Sequence, residues 1–202
     1  MMEEKEALEK QNETEIKQEK KKKSLGRELL SLVGYLVIVL IATFLIVKFV
    51  GVRTEVIGTS MTPTLQDGDN LIVEKVTYYF RDPQRYDIIV FPYPEDPSRH
   101  YIKRIIGLPG ETVQIIDGYV YINGELLDEH YGNAVMNNAG IAAEPITLGE
   151  DEYFVLGDNR NNSEDSRYAA VGNIKRSQID GRAWLRIWPF SPQSSYVLHK
   201  AC

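Results

Sequence analysis

The feature that most constrains this chain is a run of nineteen uncharged residues, LLSLVGYLVIVLIATFLIV, at positions 29–47. As a helix rising 1.5 Å per residue, the run is ~28 Å long, close to the thickness of a bilayer core. A surface helix of a soluble domain is not expected to be apolar on every side. The run therefore predicts a transmembrane anchor over residues 29–48, with Lys48 reaching the interface.

A cleavable secretion signal is the competing interpretation, because a basic stretch also precedes the apolar segment of such signals. However, the run is longer than the usual apolar segment of a signal. The residues that follow it, FVGVRTEV, contain no small-x-small cleavage pattern. An uncleaved, single-pass anchor is the favoured interpretation.

Residues 1–28 form a charged tail with eight basic and eight acidic residues, a composition typical of a solvated or disordered segment. Its basic cluster, residues 20–23 and Arg27, precedes the apolar run. Because Lys and Arg accumulate on the cytoplasmic side of membrane helices, the tail is predicted to be cytoplasmic. Residues 53–202 are then predicted to form an extracytoplasmic domain at the cell membrane.

The sequence of residues 53–202 indicates a β-rich domain. Its clearest segment is TVQIIDGYVYINGELL (112–127), in which Asp-Gly and Asn-Gly pairs separate β-branched runs, as in hairpins. GLPGE (107–111) has a turn composition, and residues 128–151 have no clear period, which predicts a long loop or small insertion. Further strands are predicted at 53–57, 70–75, 86–91, 100–106, 152–156 and 180–188.

Composition excludes several kinds of function. Residues 53–202 hold 14 Lys+Arg and 21 Asp+Glu, a balance of −7, which disfavours binding to nucleic acid. His100, His130 and His199 are scattered and form no HExxH pattern, and the only cysteine is Cys202, so no metal site or other cofactor is predicted. A Ser-His-Asp triad that uses His100 has no independent support.

Two segments offer a different chemistry. In GTSMTPTL (58–65), a glycine and a proline flank Ser60 in a turn that can expose its hydroxyl, although turns often have this composition. In HYIKRIIGLPG (100–110), a strand would place Lys103 on one face with Tyr101 and Ile105. Apolar neighbours lower the pKa of a lysine, and only a neutral amine can take a proton from serine. An exposed lysine on an edge strand is the alternative.

A third segment, LGDNRNNSEDSR (156–167), is dense in groups that can form an internal polar network. Together, SMTPTL (60–65), YIKRIIGLPGE (101–111) and GDNRNNSEDSR (157–167) resemble, in order and spacing, the motifs of bacterial type I signal peptidases. The likeness extends from the anchor to GRAWLRIWPF (181–190), and includes GDNLIVEK and RYDIIVF. The single anchor and the short insertion resemble the compact Gram-positive members.

This resemblance implies an all-β catalytic domain of coiled antiparallel sheets, with one N-terminal transmembrane helix. It implies a membrane-anchored serine endopeptidase that uses a Ser/Lys dyad to cleave signal peptides from secreted preproteins after small-x-small sites. The expected partners are preprotein signal peptides and membrane lipid, for an enzyme that acts as a monomer. The enzyme alternative is a self-cleaving repressor peptidase, disfavoured by the anchor, and the non-enzyme alternative is an inactive membrane-tethered binding module.

The resemblance also implies individual roles. Ser60 matches the nucleophile, Lys103 the general base and Ser163 the serine that orients the lysine amine. The Ser60 amide matches one oxyanion donor. Some members have a Ser or Thr two positions before the nucleophile, where this chain has Gly58, so the second donor would be the Gly58 N–H or water.

Two larger sets of residues match by position. The first set is expected to line the shallow pockets for the −1 and −3 side chains of the substrate: Val56, Ile57, Met61, Leu65, Tyr101 and Ile102. The second is expected to form a structural charge network around the site: Arg104, Asp158, Asp165 and Arg167.

Overall fold

The structure, a computed structural model, describes residues 28–45 and 51–189. The cytoplasmic tail predicted at 1–28, apart from Glu28, lies outside the described residues, as do residues 46–50 and 190–202. The chain divides into two compact units, Met1–Lys48 and Phe49–Cys202. In the first unit, the described helix α1 (Glu28–Leu45) is long and apolar enough to cross a membrane, in agreement with the predicted anchor.

The second unit is built from strands that pair antiparallel throughout its described part. Three short 3₁₀ helices connect them, at Val76–Tyr79, Gly140–Ala143 and Arg176–Gln178. This architecture confirms the predicted all-β fold class. The strands are β1 (Val52–Glu55), β2 (Asn70–Glu74), β3 (Ile88–Tyr93), β4 (Asp96–Gly107), β5 (Thr112–Ile116), β6 (Tyr119–Ile122), β7 (Glu125–Leu126), β8 (Ile146–Thr147), β9 (Glu152–Leu156), β10 (Ile174–Lys175) and β11 (Gly181–Trp188).

The strands form two sheets. The larger has the order β1-β2-β11-β3-β4-β9-β10, and the smaller has the order β7-β6-β5-β8. In the smaller sheet, Asp117 and Asn123 adopt positive φ values of 52° and 54°, each followed by a glycine with positive φ. Two consecutive residues with positive φ are the requirement of a type I′ hairpin turn, so both predicted hairpins are confirmed.

Apolar side chains of β4 point alternately to the two faces of the larger sheet. Ile105 packs in one core with Phe91 and Val155, whereas the next residue, Ile106, packs in a second core with side chains of the smaller sheet such as Val113. Successive side chains of a strand point to opposite faces, so one strand contributes to both cores. A third core lies around Leu71 and Ile88 and includes residues from the turn after β1.

The region 128–151, predicted as a loop or small insertion, is largely irregular but also contains a 3₁₀ helix and β8, which pairs with β5. β8 and β10 have only two residues each, which is too short to show an alternating pattern in the sequence. Neither strand was therefore predicted. The strand predicted at 100–106 begins earlier, at Asp96. Its first residues are polar and mostly exposed, and they pair with β3 in a hairpin arm that carries no apolar alternation.

Candidate active site

An open cleft of about 530 Å³ lies between two strand segments of the larger sheet. One wall follows residues 54–59, from β1 into the turn after it, and the other follows residues 98–103 of β4. β4 pairs with β3 from Asp96, but its pairing with β9 begins only at Arg104. β1 pairs with β2 alone among the described strands. Two strand edges without a neighbour therefore face the same cleft.

At one end of the cleft, the Lys103 amine donates a hydrogen bond to Ser60 Oγ, with 2.8 Å between the heavy atoms. The same amine donates to Ile102 O at 3.1 Å and lies 4.9 Å from the centre of the Tyr101 ring. Lys103 is only 4% exposed, and no carboxylate of the described residues forms an ion pair with it. The amine is thus buried against a hydroxyl, a carbonyl and an aromatic ring.

Burial lowers the pKa of Lys103 from its ordinary value of 10.5 to about 8. The carboxylates of Asp165, Glu164 and Asp158 act in the opposite direction and raise this pKa, but less than burial lowers it. At pH 7 a pKa of 8 leaves roughly 10% of the amine neutral, against about 0.03% for an ordinary lysine. Ser60 therefore has a base beside it that can accept its proton near neutral pH.

The surroundings of Ser163 differ from those predicted. Ser163 Oγ is buried and accepts or donates no hydrogen bond among the described residues, so the predicted orienting contact with the lysine is not formed. A Cβ placed on Gly157 would lie 2.3 Å from Ser163 Oγ and 2.5 Å from Ser60 O, so the hydroxyl lies close to the main chain of Ser60.

The expectation for Gly58 needs correction. Its N–H donates to Asp67 Oδ1 at 2.7 Å, and an amide has only one hydrogen to give. The Gly58 N–H is therefore not available as a second oxyanion donor in this arrangement. The Ser60 N–H, by contrast, donates to no other group of the described residues.

Five of the six residues expected to line the −1 and −3 pockets border the cleft: Val56, Ile57, Met61, Tyr101 and Ile102. Leu65 does not. Its N–H bonds to Met61 O in the turn, and its side chain is 1% exposed and packs in the third core. Ile57 is the opposite case, with a side chain 89% exposed at the rim.

The four charged residues expected around the site form two buried ion pairs. Arg104 binds Asp158 with two hydrogen bonds of 2.8 and 2.6 Å, and Thr64 donates to the same carboxylate. Arg167 binds Asp165 in the same bidentate way, and Asp165 also accepts from Gly157 N–H. Both pairs are buried and involve residues of the loop 157–167.

Sequence reasoning missed several polar residues that surround the cleft. Asn159 and Asn162 bond to the turn that carries Ser60, and Glu164 accepts a 2.6 Å hydrogen bond from the Tyr101 hydroxyl at the rim. The only signal was the density of Asn and Asp in 157–167, which does not say which side chain bonds where. Among the described residues, no group of His, Cys, Asp and Glu is arranged to hold a metal ion.

The site thus combines a serine hydroxyl bonded to a buried amine with a cleft bordered by strand edges that have no neighbour among the described strands. Comparison with known proteins identifies the family. Residues 29–188 match the family described as "Signal peptidase, peptidase S26".

A probable signal peptidase I-2 of Synechocystis is 43% identical over 156 residues, covering 71% of this chain and 69% of that protein. The signal peptidase I of Bacillus licheniformis is 37% identical over 185 residues, covering 88% and 96%. A crystal structure of signal peptidase I from Enterococcus faecalis is 38% identical, with a TM-score of 0.41, covering 50% of this chain and 97% of that one. This chain belongs to the signal peptidase family, peptidase S26, whose members are hydrolases.

Proposed function

We propose that this protein is a membrane-anchored serine endopeptidase that removes signal peptides from secreted preproteins, with Ser60 as nucleophile and Lys103 as general base. The observation that carries the proposal is the 2.8 Å contact between Ser60 Oγ and the Lys103 amine. It is supported by the buried position of Lys103 and its lowered pKa. No other described lysine bonds to a serine hydroxyl in a cleft.

The reaction begins with the neutral Lys103 amine. It accepts the proton of the Ser60 hydroxyl while Oγ attacks the carbonyl carbon of the scissile peptide bond. The resulting oxyanion is stabilised by the Ser60 N–H. The lysine ammonium then gives its proton to the leaving amine, the C–N bond breaks, and an acyl-enzyme remains. Lys103 next takes a proton from a water that attacks the ester carbonyl. Its ammonium then gives that proton to Ser60 Oγ as the ester C–O bond breaks, which releases the signal peptide and restores the Ser60 hydroxyl.

The open strand edges explain how a peptide would bind. An extended segment can add to the edge of β4 or β1 through main-chain hydrogen bonds. Its side chains then alternate, so the −1 and −3 residues point to the same side. Val56, Met61 and Ile102 supply an apolar lining there, and Val56 and Met61 are almost fully buried. We expect this shallow apolar floor to suit alanine and to exclude large or charged side chains at −1 and −3.

The predicted anchor would tether the peptidase domain to a membrane. We propose that residues 29–48 span the cell membrane, that residues 1–28 are cytoplasmic, and that residues 53–202 form the extracytoplasmic peptidase domain, which works as a monomer in contact with lipid. The basic cluster before the anchor supports this orientation. External protease added to spheroplasts should remove the domain and leave the tail protected, and a protected domain would contradict the orientation.

Cleavage of a preprotein by the full chain tests the proposed chemistry. Ser60→Ala and Lys103→Ala should each abolish cleavage, and the double variant should be little worse than either one, because the two residues act as a unit. A serine-directed covalent probe should label the wild type but not Ser60→Ala. Wild type without labelling or cleavage would instead favour an inactive binding module.

Substrate variants test the pockets. Replacing the −1 Ala of a preprotein by Phe should reduce kcat/KM at least tenfold, or ~1.4 kcal/mol, because the floor cannot accept the ring. A matched change at −2, whose side chain points to the other face, should have a smaller effect. Equal cleavage of Ala and Phe at −1 would show that these residues do not form the −1 pocket.

A further inference from the structure

The turn that carries Ser60 is held from outside by the loop 157–167. Asn159 makes two of these contacts: its main-chain N–H donates to Ser60 O at 3.0 Å, and its side-chain amide donates to Thr59 O at 3.1 Å. Asn162 adds a third, from its side-chain amide to the Thr59 hydroxyl at 2.9 Å. The loop therefore forms hydrogen bonds to the main-chain carbonyls of both Thr59 and Ser60.

The contact to Thr59 O has a special consequence because of peptide geometry. Thr59 C=O and Ser60 N–H belong to one peptide unit, which is planar, with the two groups pointing in opposite directions. A donor that fixes the direction of Thr59 O therefore fixes the direction of the Ser60 N–H. This N–H is the oxyanion donor of the proposed mechanism, and it has no partner among the described residues.

The other restraints on this peptide unit do not make Asn159 redundant. Thr62 N–H also donates to Thr59 O, but at 3.2 Å and from within the same turn, so it moves together with the turn. The Gly58 N–H is tied to Asp67, which fixes the Ile57–Gly58 peptide unit and not the unit that holds the Ser60 N–H. The Asn159 side chain connects the Thr59–Ser60 peptide unit to the loop 157–167. That loop is in turn held by the buried Arg104–Asp158 and Arg167–Asp165 pairs.

From these contacts we infer that Asn159 is a positioning residue for catalysis, whose side-chain amide aims the Ser60 N–H at the oxyanion. A carbonyl that accepts a hydrogen bond also polarises its peptide unit, which strengthens the N–H at the other end as a donor. Because Asn159 acts through the Ser60 peptide and not on the Lys103 amine, its removal should lower stabilisation of the oxyanion and leave the base unchanged. The inference rests on the proposed function of Ser60.

The test compares Asn159→Ala and Asn159→Asp with Asn161→Ala in the full chain. Asn161 is a matched control, because it lies in the same loop and its side chain makes two hydrogen bonds, one to Val135 O and one from Asn137 N–H, both away from the Ser60 turn. The Asn159 side chain likewise makes two, because its oxygen also accepts from the Asn133 side-chain amide at 3.2 Å. Asn159→Ala should lower kcat by ~10–100-fold with little change in KM, since it weakens one oxyanion donor without removing it. Asn161→Ala should leave kcat nearly unchanged.

Three further readouts separate positioning from a general loss of structure. Asn159→Asp keeps the shape but turns a donor toward Thr59 O into an acceptor, so it should be slower than Asn159→Ala. The pH at which kcat/KM is half-maximal should not move in Asn159→Ala, which adds no charge near Lys103. A peptide aldehyde, whose adduct with Ser60 carries an oxygen in the oxyanion position, should lose affinity in parallel with kcat, while the same peptide without the aldehyde should bind as before.

The outcomes also separate this inference from the proposed function. If wild type does not cleave a preprotein, the proposed function fails first. If wild type cleaves but Asn159→Ala and Asn161→Ala behave alike, or if aldehyde and plain peptide lose affinity equally, Asn159 does not position the oxyanion donor and only this inference is overturned.

Discussion

Lys103 and Arg104 are consecutive cations on β4, both almost fully buried, at 4% and 1% exposure, and on opposite faces of the sheet. Arg104 meets a carboxylate, a carbonyl and the Tyr131 ring, with two hydrogen bonds to Asp158. Lys103 meets no carboxylate at bonding distance, and burial lowers its pKa to about 8. Burial alone therefore does not decide what a buried cation does. A carboxylate partner stabilises the charged form of a buried cation, as it does for Arg104. Without such a partner, burial favours the neutral form, and a neutral amine is the form that we propose for Lys103 as a base.

The largest stability effect should come from the paired side of this comparison. Asp158→Asn leaves the buried Arg104 guanidinium without its counter-charge, so the free energy of unfolding should fall by about 3–5 kcal/mol. Urea unfolding of the full chain in detergent would measure it. The control is Asp128→Asn, which removes a partner of His130 in an exposed pair and should change stability by less than ~0.5 kcal/mol. Equal effects would mean that the Arg104–Asp158 pair is not a structural link.

The unpaired side should respond with the opposite sign. Burial lowers the pKa of Lys103 from 10.5 to about 8, so burying the charged amine is unfavourable. At pH 7 the amine is nevertheless mostly charged, because a pKa of about 8 still lies above 7. Lys103→Met removes the charge and keeps the length, so it should raise the free energy of unfolding by about 3 kcal/mol, at ~1.4 kcal/mol per pKa unit. Activity should be lost in the same variant.

The gain should also depend on pH in a defined direction. Because the folded-state pKa of Lys103 is below its ordinary value, unfolding takes up a proton between pH 8 and 10.5, and wild-type stability rises through this window. The advantage of Lys103→Met should therefore be full below pH 8 and vanish as pH approaches 10.5. A methionine variant less stable than wild type at pH 7 would contradict the account of Lys103 as a desolvated amine.

The smallest effect on stability is expected at Ser163. Its hydroxyl is buried and has no partner in the described structure, so Ser163→Ala removes no hydrogen bond and should change the free energy of unfolding by less than ~1 kcal/mol. The unfolding midpoint in urea would measure this. A loss comparable with that of Asp158→Asn would show that the hydroxyl has a structural partner.

Much of this comparison could be predicted from the sequence, because it depends on local patterns. The strand HYIKRII fixes by alternation that Lys103 and Arg104 point to opposite faces, and the Asp-Gly and Asn-Gly turns fix the hairpins of the smaller sheet. The family motifs identified Ser60, Lys103 and the four network residues. Their pairing, Arg104 with Asp158 and Arg167 with Asp165, appears only in three dimensions.

The details that sequence could not supply depend on how individual side chains and turns are oriented in three dimensions. Leu65 matched a pocket position, but its side chain packs in the third core. Gly58 matched a donor position, but its N–H donates a hydrogen bond to the side chain of Asp67, nine residues later. Asn159 and Asn162 reach back about a hundred residues to the Ser60 turn, a distance over which no local pattern operates.

The pH dependence of preprotein cleavage tests the central claim most directly, that an unpaired, buried Lys103 is the base. The pH dependence of kcat/KM reports the pKa of the catalytic base in the free enzyme. Activity should rise with pH through a single step near 8, since burial lowers the pKa of Lys103 to about 8 and the neutral form is the active one. A profile that is flat from pH 6 to 10, or whose step lies at the pKa of an ordinary lysine, would contradict the account.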